Sequence, residues 1–292
     1  MKIKIFLRGD ILNLNSKEKF FTALKNFVEN LKNEISKGDK WTIRGFIDIF
    51  KNVYPVSSDT KIISKLLELH LFPYFFNFAK NNGFNLEPAE HQNWYPDLTF
   101  VSIKNPEIKF AVDLKTTYRD ENNPDFCNGF TLGSHGEYFI ERKSKKNVQY
   151  PYGEYCGHFC VGIIYSRETI DLSNEFKIYS VDELENIPLV IKNFLFFAQE
   201  KWKIASDKSG SGNTANIGSI KSIDDLIAGR GVFSKAGEKF FDDYWTNFGK
   251  LKISDENGGY KKLSSFEEFL KFKGLSTDLI CQKKSKKKWK EN

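Results

Sequence analysis

The chain has 292 residues, enough for one large domain or two modest ones, each with room for a core. Its 40% hydrophobic and 15% aromatic content, with 28 Phe, fits a folded protein and excludes a disordered or collagen-like one. No apolar run approaches the roughly 20 residues of a membrane span, and 44 Lys and Arg against 38 Asp and Glu leave only +6, which by itself names no polyanionic partner.

In chain order, Met1 to Phe6 alternates Lys and Ile and reads as a short strand. From Ser16, Phe20, Leu24, Phe27, Val28, Leu31 and Ile35 recur at helical spacing until Gly38. This predicts an amphipathic helix over 16–37 whose stripe either covers a sheet or meets a second subunit. Trp41 to Val53 reads as a short helix or strand before Pro55. Ser57-Ser58-Asp59-Thr60 offers caps for a helix carrying Ile62, Ile63, Leu66, Leu67 and Leu69, with Glu68 near its end. Pro73 to Lys80 continues helically and Asn81-Asn82-Gly83 closes it.

The stretch from Trp94 to Thr117 carries the chemistry. Lys109 to Thr117 alternates as a half-buried strand, with Phe110, Val112 and Leu114 on one face and Ala111, Asp113 and Lys115 on the other. Asp97 to Ile103 is also strand-like, and Asn105-Pro106 marks a turn between the two, so 91–119 is expected to hold a hairpin. Positions 97 and 113 are equidistant from 105, on the turn, which makes Asp97 and Asp113 cross-strand neighbours. Two such carboxylates suit Mg²⁺, which is held by one or two carboxylates together with phosphate oxygens. Lys115 beside them is a cation able to stabilise a phosphorane or to orient or deprotonate water. Taken alone, an Asp-x-Lys is most often a surface salt bridge.

Downstream, Asp120 to Asp125 reads as a loop and Arg142-Lys143-Ser144-Lys145-Lys146 as a solvated basic loop or a phosphate-contacting edge. The four cysteines, Cys127, Cys156, Cys160 and Cys281, with no secretory signal, suggest reduced thiols and a cytoplasmic chain. Cys156-Gly157-His158-Phe159-Cys160 lacks a second ligand pair for zinc and runs into Val161 to Tyr165, so a buried strand over 155–166 accounts for it better. Ser180 to Ile187 is a helical turn stopped by Pro188, and Phe194 to Ile204 an aromatic strand region. In 207–219, Gly210, Gly212 and Gly218 fit neither the dinucleotide fingerprint nor the P-loop, so no nucleotide cofactor is expected. Such a loop is either a flexible surface segment or one that brings Asn213, Thr214 and Asn216 close to base edges. Ser222 to Leu226 and Ala236 to Trp245 are helical, and the Lys-rich tail 282–292 is expected to be disordered.

Together these segments resemble the EcoRV-type type II restriction endonucleases of the PD-(D/E)xK nuclease superfamily. The resemblance runs from about Tyr54 to about Trp245 and rests on YPVSSDTK (54–61), HQNWYPDLTF (91–100), AVDLKTTY (111–118), FTLG (130–133) and GSGNTANIGSI (210–220), in order. It implies an α/β fold with a mixed central sheet flanked by helices, as a single nuclease domain over 1–281. It also implies Mg²⁺-dependent hydrolysis of double-stranded DNA, Mn²⁺ substituting, by a homodimer at a palindrome, with GATATC cut to blunt ends as the expected target. By resemblance Asp97, Asp113 and Glu68 are metal-binding carboxylates, and Lys115 is the catalytic lysine. Gly210, Gly212, Asn213 and Thr214 then read bases in the major groove, and Gln92 and Asn93 lie in the minor-groove loop. Lys61, Thr116, Lys146 and Asn216 fall near DNA phosphates. The chain departs from the pattern at His91, where the family has Gln, at Ala215, where it has Thr, and over 134–145. A structure-selective repair or junction nuclease, and a DNA-binding module without catalysis, are the alternative readings.

Overall fold

The computed structural model describes residues 2–210, 212, 215–254 and 259–281, with backbone alone for 2–13, 172 and 175. The tail 282–292 lies outside the described residues. In chain order the elements are α1 (Lys2–Ile35), β1 (Ser36–Lys37), β2 (Lys40–Trp41), β3 (Gly45–Ile47), β4 (Asn52–Pro55), α2 (Thr60–Asn81), β5 (Phe84–Pro88), β6 (Leu98–Ser102), β7 (Lys109–Asp120), β8 (Asn123–Cys127) and β9 (Thr131–Ser134). There follow α3 (Glu137–Ile140), β10 (Gly157–Arg167), α4 (Leu172–Glu175), β11 (Tyr179–Ser180), β12 (Ile191–Glu200), β13 (Ala205–Ser209) and β14 (Asn216–Ser219). The last are α5 (Ile223–Ala228), α6 (Glu238–Asn247), β15 (Lys252–Ser254), β16 (Tyr260–Lys262) and α7 (Phe266–Phe272). Contacts divide the chain into two compact units: Met1–Asn128 with Glu154–Ala198, and Gly129–Gly153 with Gln199–Asn292.

The first unit is built on a sheet of order β1-β2-β12-β10-β7-β6-β5, with β8 also paired to β7. β7 and β10 are parallel, whereas β5, β6 and β7 are antiparallel, so the sheet is mixed as expected. A parallel pair at the middle of a sheet is covered on both faces. β10 is accordingly buried from Gly157 to Tyr165, and β7 from Lys109 to Asp113, which corrects the half-buried reading of that strand.

One face of the sheet is covered by α1 and α2. Phe20, Leu24, Val28, Leu31 and Ile35 of α1 share a core with Ile63, Leu67, Leu71, Phe75 and Phe78 of α2 and with Phe100, Phe110, Val112 and Phe159 of the sheet. The α1 stripe is thus used inside the chain's own core and is not available to a second subunit. Phe20 is its centre: its ring stacks on Phe110 at 4.3 Å and meets Phe84 and Phe100 edge-on at 5.2 Å. Met1 to Phe6 is not a strand, because α1 begins at Lys2. Ile3, Leu7, Ile11 and Leu14 also satisfy a spacing of three to four, and a helix nucleated downstream extends through such residues at little cost.

α2 starts where the capping residues place it. Asp59 is the N-cap and its side chain accepts from the N–H groups of Lys61 (2.8 Å) and Ile62 (3.1 Å). The helix runs through Pro73 to Asn81, so Glu68 lies well inside it and not near its end. Before it, 41–53 holds the end of β2, all of β3 and the start of β4, and β3 and β4 join β11 in a small separate sheet. Asp120 to Asp125 is a tight turn into β8 rather than an open loop. The 3-10 turn Val181–Asn186, held by a Ser180–Glu183 capping box, fulfils the reading of that segment.

The second unit contains the antiparallel sheet β13-β14-β9 and helices α5 to α7. Its core is aromatic: Phe233, Phe241, Tyr244, Trp245, Phe266 and Phe269 are all buried. Most of 207–219 belongs to the β13–β14 hairpin, leaving a shorter connection than the sequence suggests. Among the described residues no helix is long and apolar enough to cross a membrane.

Candidate active site

Two strand registers build the site. Between β6 and β7, Leu98 faces Val112, Thr99 faces Ala111 and Phe100 faces Phe110. One further step sets Asp97 opposite Asp113, as the arithmetic of the turn requires. Between β7 and β10, Asp113 is level with Cys160 and Lys115 with Gly162. Since alternate residues share a face, Phe110 and Val112 enter the core while Ala111, Asp113 and Lys115 line the opposite side.

Asp97, Asp113 and Lys115 meet there. The Asp97 N–H donates to Asp113 Oδ1 at 3.2 Å, and the Leu114 N–H donates to Asp97 Oδ2 at 2.7 Å. Lys115 Nζ lies 3.2 Å from Asp113 Oδ2 and 3.5 Å from Asp97 Oδ2. The side chains are 30% (Asp97), 9% (Asp113) and 21% (Lys115) exposed, so the group is mostly withdrawn from solvent. Burial pushes the Asp97 carboxyl up to about 6; Lys115 opposes this, and the negative charges of Asp113 and, more weakly, Glu68 add to it. Burial alone would lower the Lys115 ammonium, but Asp113 and Asp97 outweigh it and hold the group above the ordinary lysine value.

The donor set answers the question of a metal. Two carboxylates side by side in a partly desolvated pocket, one of them pushed up by burial and further by the other, gain from a cation. Glu68 is in the neighbourhood but is paired with Lys65 at 2.8 Å. Among the described residues no group of three or more His, Cys, Asp or Glu side chains is gathered for a metal. A pair of Asp is still what a hard cation sharing its ligands with phosphate and water requires.

A family model, restriction endonuclease EcoRV, matches residues 37–274. The chain belongs to the EcoRV restriction endonuclease family. It is similar to the type II restriction enzyme EcoRV of Escherichia coli, 35% identical over 235 residues that span 80% of this chain and 93% of that enzyme. It is therefore a type II restriction endonuclease, a deoxyribonuclease whose substrate is DNA, from a family that generally uses divalent metal ions. α1 precedes the matched span.

The remaining positions singled out in this EcoRV-family chain fall into three groups. Around the Asp pair, the Thr116 and Ser64 hydroxyls share a short hydrogen bond that ties α2 to β7. Ser64 and Glu68 are four apart on α2, hence on one helix face, and the charge of Glu68 is felt at the Asp97 carboxyl. Lys61 is exposed in the first turn of α2, and Gln92 and Asn93 are exposed in the turn before β6.

The other two groups lie in the second unit. Gly210 donates its N–H to the Asn216 carbonyl at 2.7 Å, Gly212 is left-handed at φ +90, and Asn216 opens β14. Asn213 and Thr214 are outside the described residues. In the basic loop, Lys146 pairs with Glu137 at 2.7 Å and Arg142 with Asp242 at 2.7 Å, so two of its cations already have acidic partners. Sequence reasoning passed over Ser64 and Tyr95, and weighed His158 only as part of a zinc motif. The available signal was parity: Tyr95 stands two residues before Asp97, and His158 two before Cys160.

Proposed function

We propose that this restriction endonuclease cuts both strands of GATATC at its centre, leaving blunt ends, as a homodimer with Mg²⁺ held by Asp97 and Asp113. The observation that carries the reading is the Asp97–Asp113–Lys115 group, with Lys115 Nζ within 3.5 Å of both carboxylates. A bound divalent cation would supply an activated water and neutralise charge on the scissile phosphate. The protein's own residues do the rest. Asp97 and Asp113 fix the point of attack. Lys115 stays cationic between them and offers N–H donors to a phosphate oxygen or the attacking water, and such donors stabilise developing charge. Glu68, freed from Lys65, adds a third carboxylate from α2. Gly210, Gly212, Asn213 and Thr214 read bases from the major groove, Gln92 and Asn93 approach the minor groove, and Lys61, Thr116, Lys146 and Asn216 serve the phosphates.

The target follows from the GSGNTANIGSI segment, whose likeness to the recognition loop of the family suggests the same six bases. Two-fold symmetry of that sequence suits a two-fold protein. Exposed apolar side chains support a second copy: Ile49 is 90% exposed and Phe50 78% at the β3–β4 turn, and Phe176 is 82% exposed just before β11 of the same small sheet. The test is end-sequencing of genomic DNA digested with Mg²⁺, with Asp113→Ala as control. Blunt ends at GATATC are expected. Ends at other sequences refute the target, and ends set by DNA structure refute the sequence-specific reading.

A further inference from the structure

Behind the carboxylates lies a second polar layer. On the face of the sheet that carries Asp97 and Asp113, the next row is Thr99, Ala111 and His158, level across β6, β7 and β10. Two phenols bond to the outer members of that row. Tyr95 Oη is 2.8 Å from His158 Nδ1, and Tyr155 Oη is 2.9 Å from Thr99 Oγ1. The Tyr155 and His158 rings approach to 5.5 Å, and all four residues are buried. Tyr95 therefore reaches from the segment entering β6 to a histidine on β10, across the strand that bears Asp113.

We propose that Tyr95 and His158 are positioning residues: their hydrogen bond fastens the chain two residues before Asp97 to β10. This sets the Asp97 carboxylate against Asp113 for cleavage. The inference rests on the proposed catalytic role of the Asp pair. The link to Asp113 is direct, because the backbone N–H of Asp97 donates to Asp113 Oδ1 at 3.2 Å. Releasing the Tyr95 end lets that N–H, and with it the separation of the two carboxylates, drift. A residue that positions without touching DNA changes turnover more than substrate binding.

The experiment compares the full-length wild type with Tyr95→Phe, His158→Ala, His158→Asn and Asp97→Ala. Three quantities are read: kcat and KM for cleavage, Mn²⁺ binding from loss of the free-ion EPR signal, and thermal melting. Tyr95→Phe removes one oxygen and keeps the ring, so it is expected to fold, with kcat down about tenfold, KM within about twofold and weaker Mn²⁺ binding. His158→Asn, whose amide stands near the Nδ1 position, is expected to recover part of what His158→Ala loses. Wild-type kcat and Mn²⁺ affinity in Tyr95→Phe would overturn the proposal, as would a loss confined to melting temperature or KM. An inactive Asp97→Ala beside an unimpaired Tyr95→Phe sinks only the positioning role, whereas an active Asp97→Ala removes the reading beneath it.

Discussion

Asp97→Asn should abolish cleavage and at the same time stabilise the metal-free fold. The carboxyl of Asp97 is raised from 3.8 to about 6 in the folded chain, so folding disfavours its charged form. Below 3.8 both folded and unfolded chains hold it protonated and nothing is lost. As pH rises from 3.8 towards 6 the unfolded chain ionises first, and above 6 the full cost is present. At about 1.36 kcal/mol per pH unit the cost is about 3 kcal/mol. An amide mimics the neutral form and keeps an acceptor for the Leu114 N–H. It should therefore recover up to that amount at pH 8, or about 5 °C in melting temperature for a chain of this length. The assay is calorimetric melting of wild type and Asp97→Asn in a chelator at pH 4 and pH 8. The gain should appear at pH 8 and shrink to about 0.5 kcal/mol at pH 4, and added Mg²⁺ should stabilise the wild type alone. A variant no more stable at pH 8, or equally favoured at both pH values, refutes the reasoning.

Lys115→Ala should lower kcat/KM by about two to three orders of magnitude, while gel-shift affinity for DNA in chelator changes little by comparison. Phe20→Ala should cost about 3–5 kcal/mol in urea unfolding with an unchanged m-value, because five aromatic rings close on the cavity it leaves. Gly218→Ala would set a Cβ 2.6 Å from the Lys208 carbonyl oxygen. It should destabilise by about 1–3 kcal/mol and impair cleavage of the target, as read in parallel unfolding and digestion assays.

How much of this was legible beforehand depends on the range of the interaction. The hairpin register follows from a turn signal and a period of two, both local, and so Asp97 and Asp113 could be paired from the sequence. The α2 cap at Asp59 is local too. The short alternation at Met1 to Phe6 was ambiguous because a run of six fits both periods, and continuity with a long helix decided it. β7 was read as half-buried because its second face is covered by residues remote in sequence. Glu68 could not be placed by pattern: where α2 lies against β7 is set by contacts such as that between Ser64 and Thr116, 52 residues apart. Resemblance, rather than periodicity, brought it into the site.

The same register that assembles the carboxylates is guarded by the core, and this can be tested by lengthening the turn. A glycine inserted between Asn105 and Pro106 breaks the Ile108 N–H to Asn105 carbonyl bond of 2.9 Å and adds one residue of loop, which costs well under about 1 kcal/mol in closure entropy. A one-residue slip of β6 on β7 would instead turn Asp97 toward the core and Phe100 away from its contact with Phe20, exchanging a buried ring for a buried charge. The slip is several-fold more expensive than the longer loop, so the chain should keep Phe100 opposite Phe110 and let the turn bulge. Cleavage is expected to stay within a few-fold of wild type. Deleting Thr99 from β6 leaves no such escape, because Asp97 and Phe100 can no longer both keep their partners, and activity should be lost. An insertion variant that melts like wild type yet fails to cut would show that the turn, and not the Phe100–Phe110 pair, sets the spacing of the carboxylates.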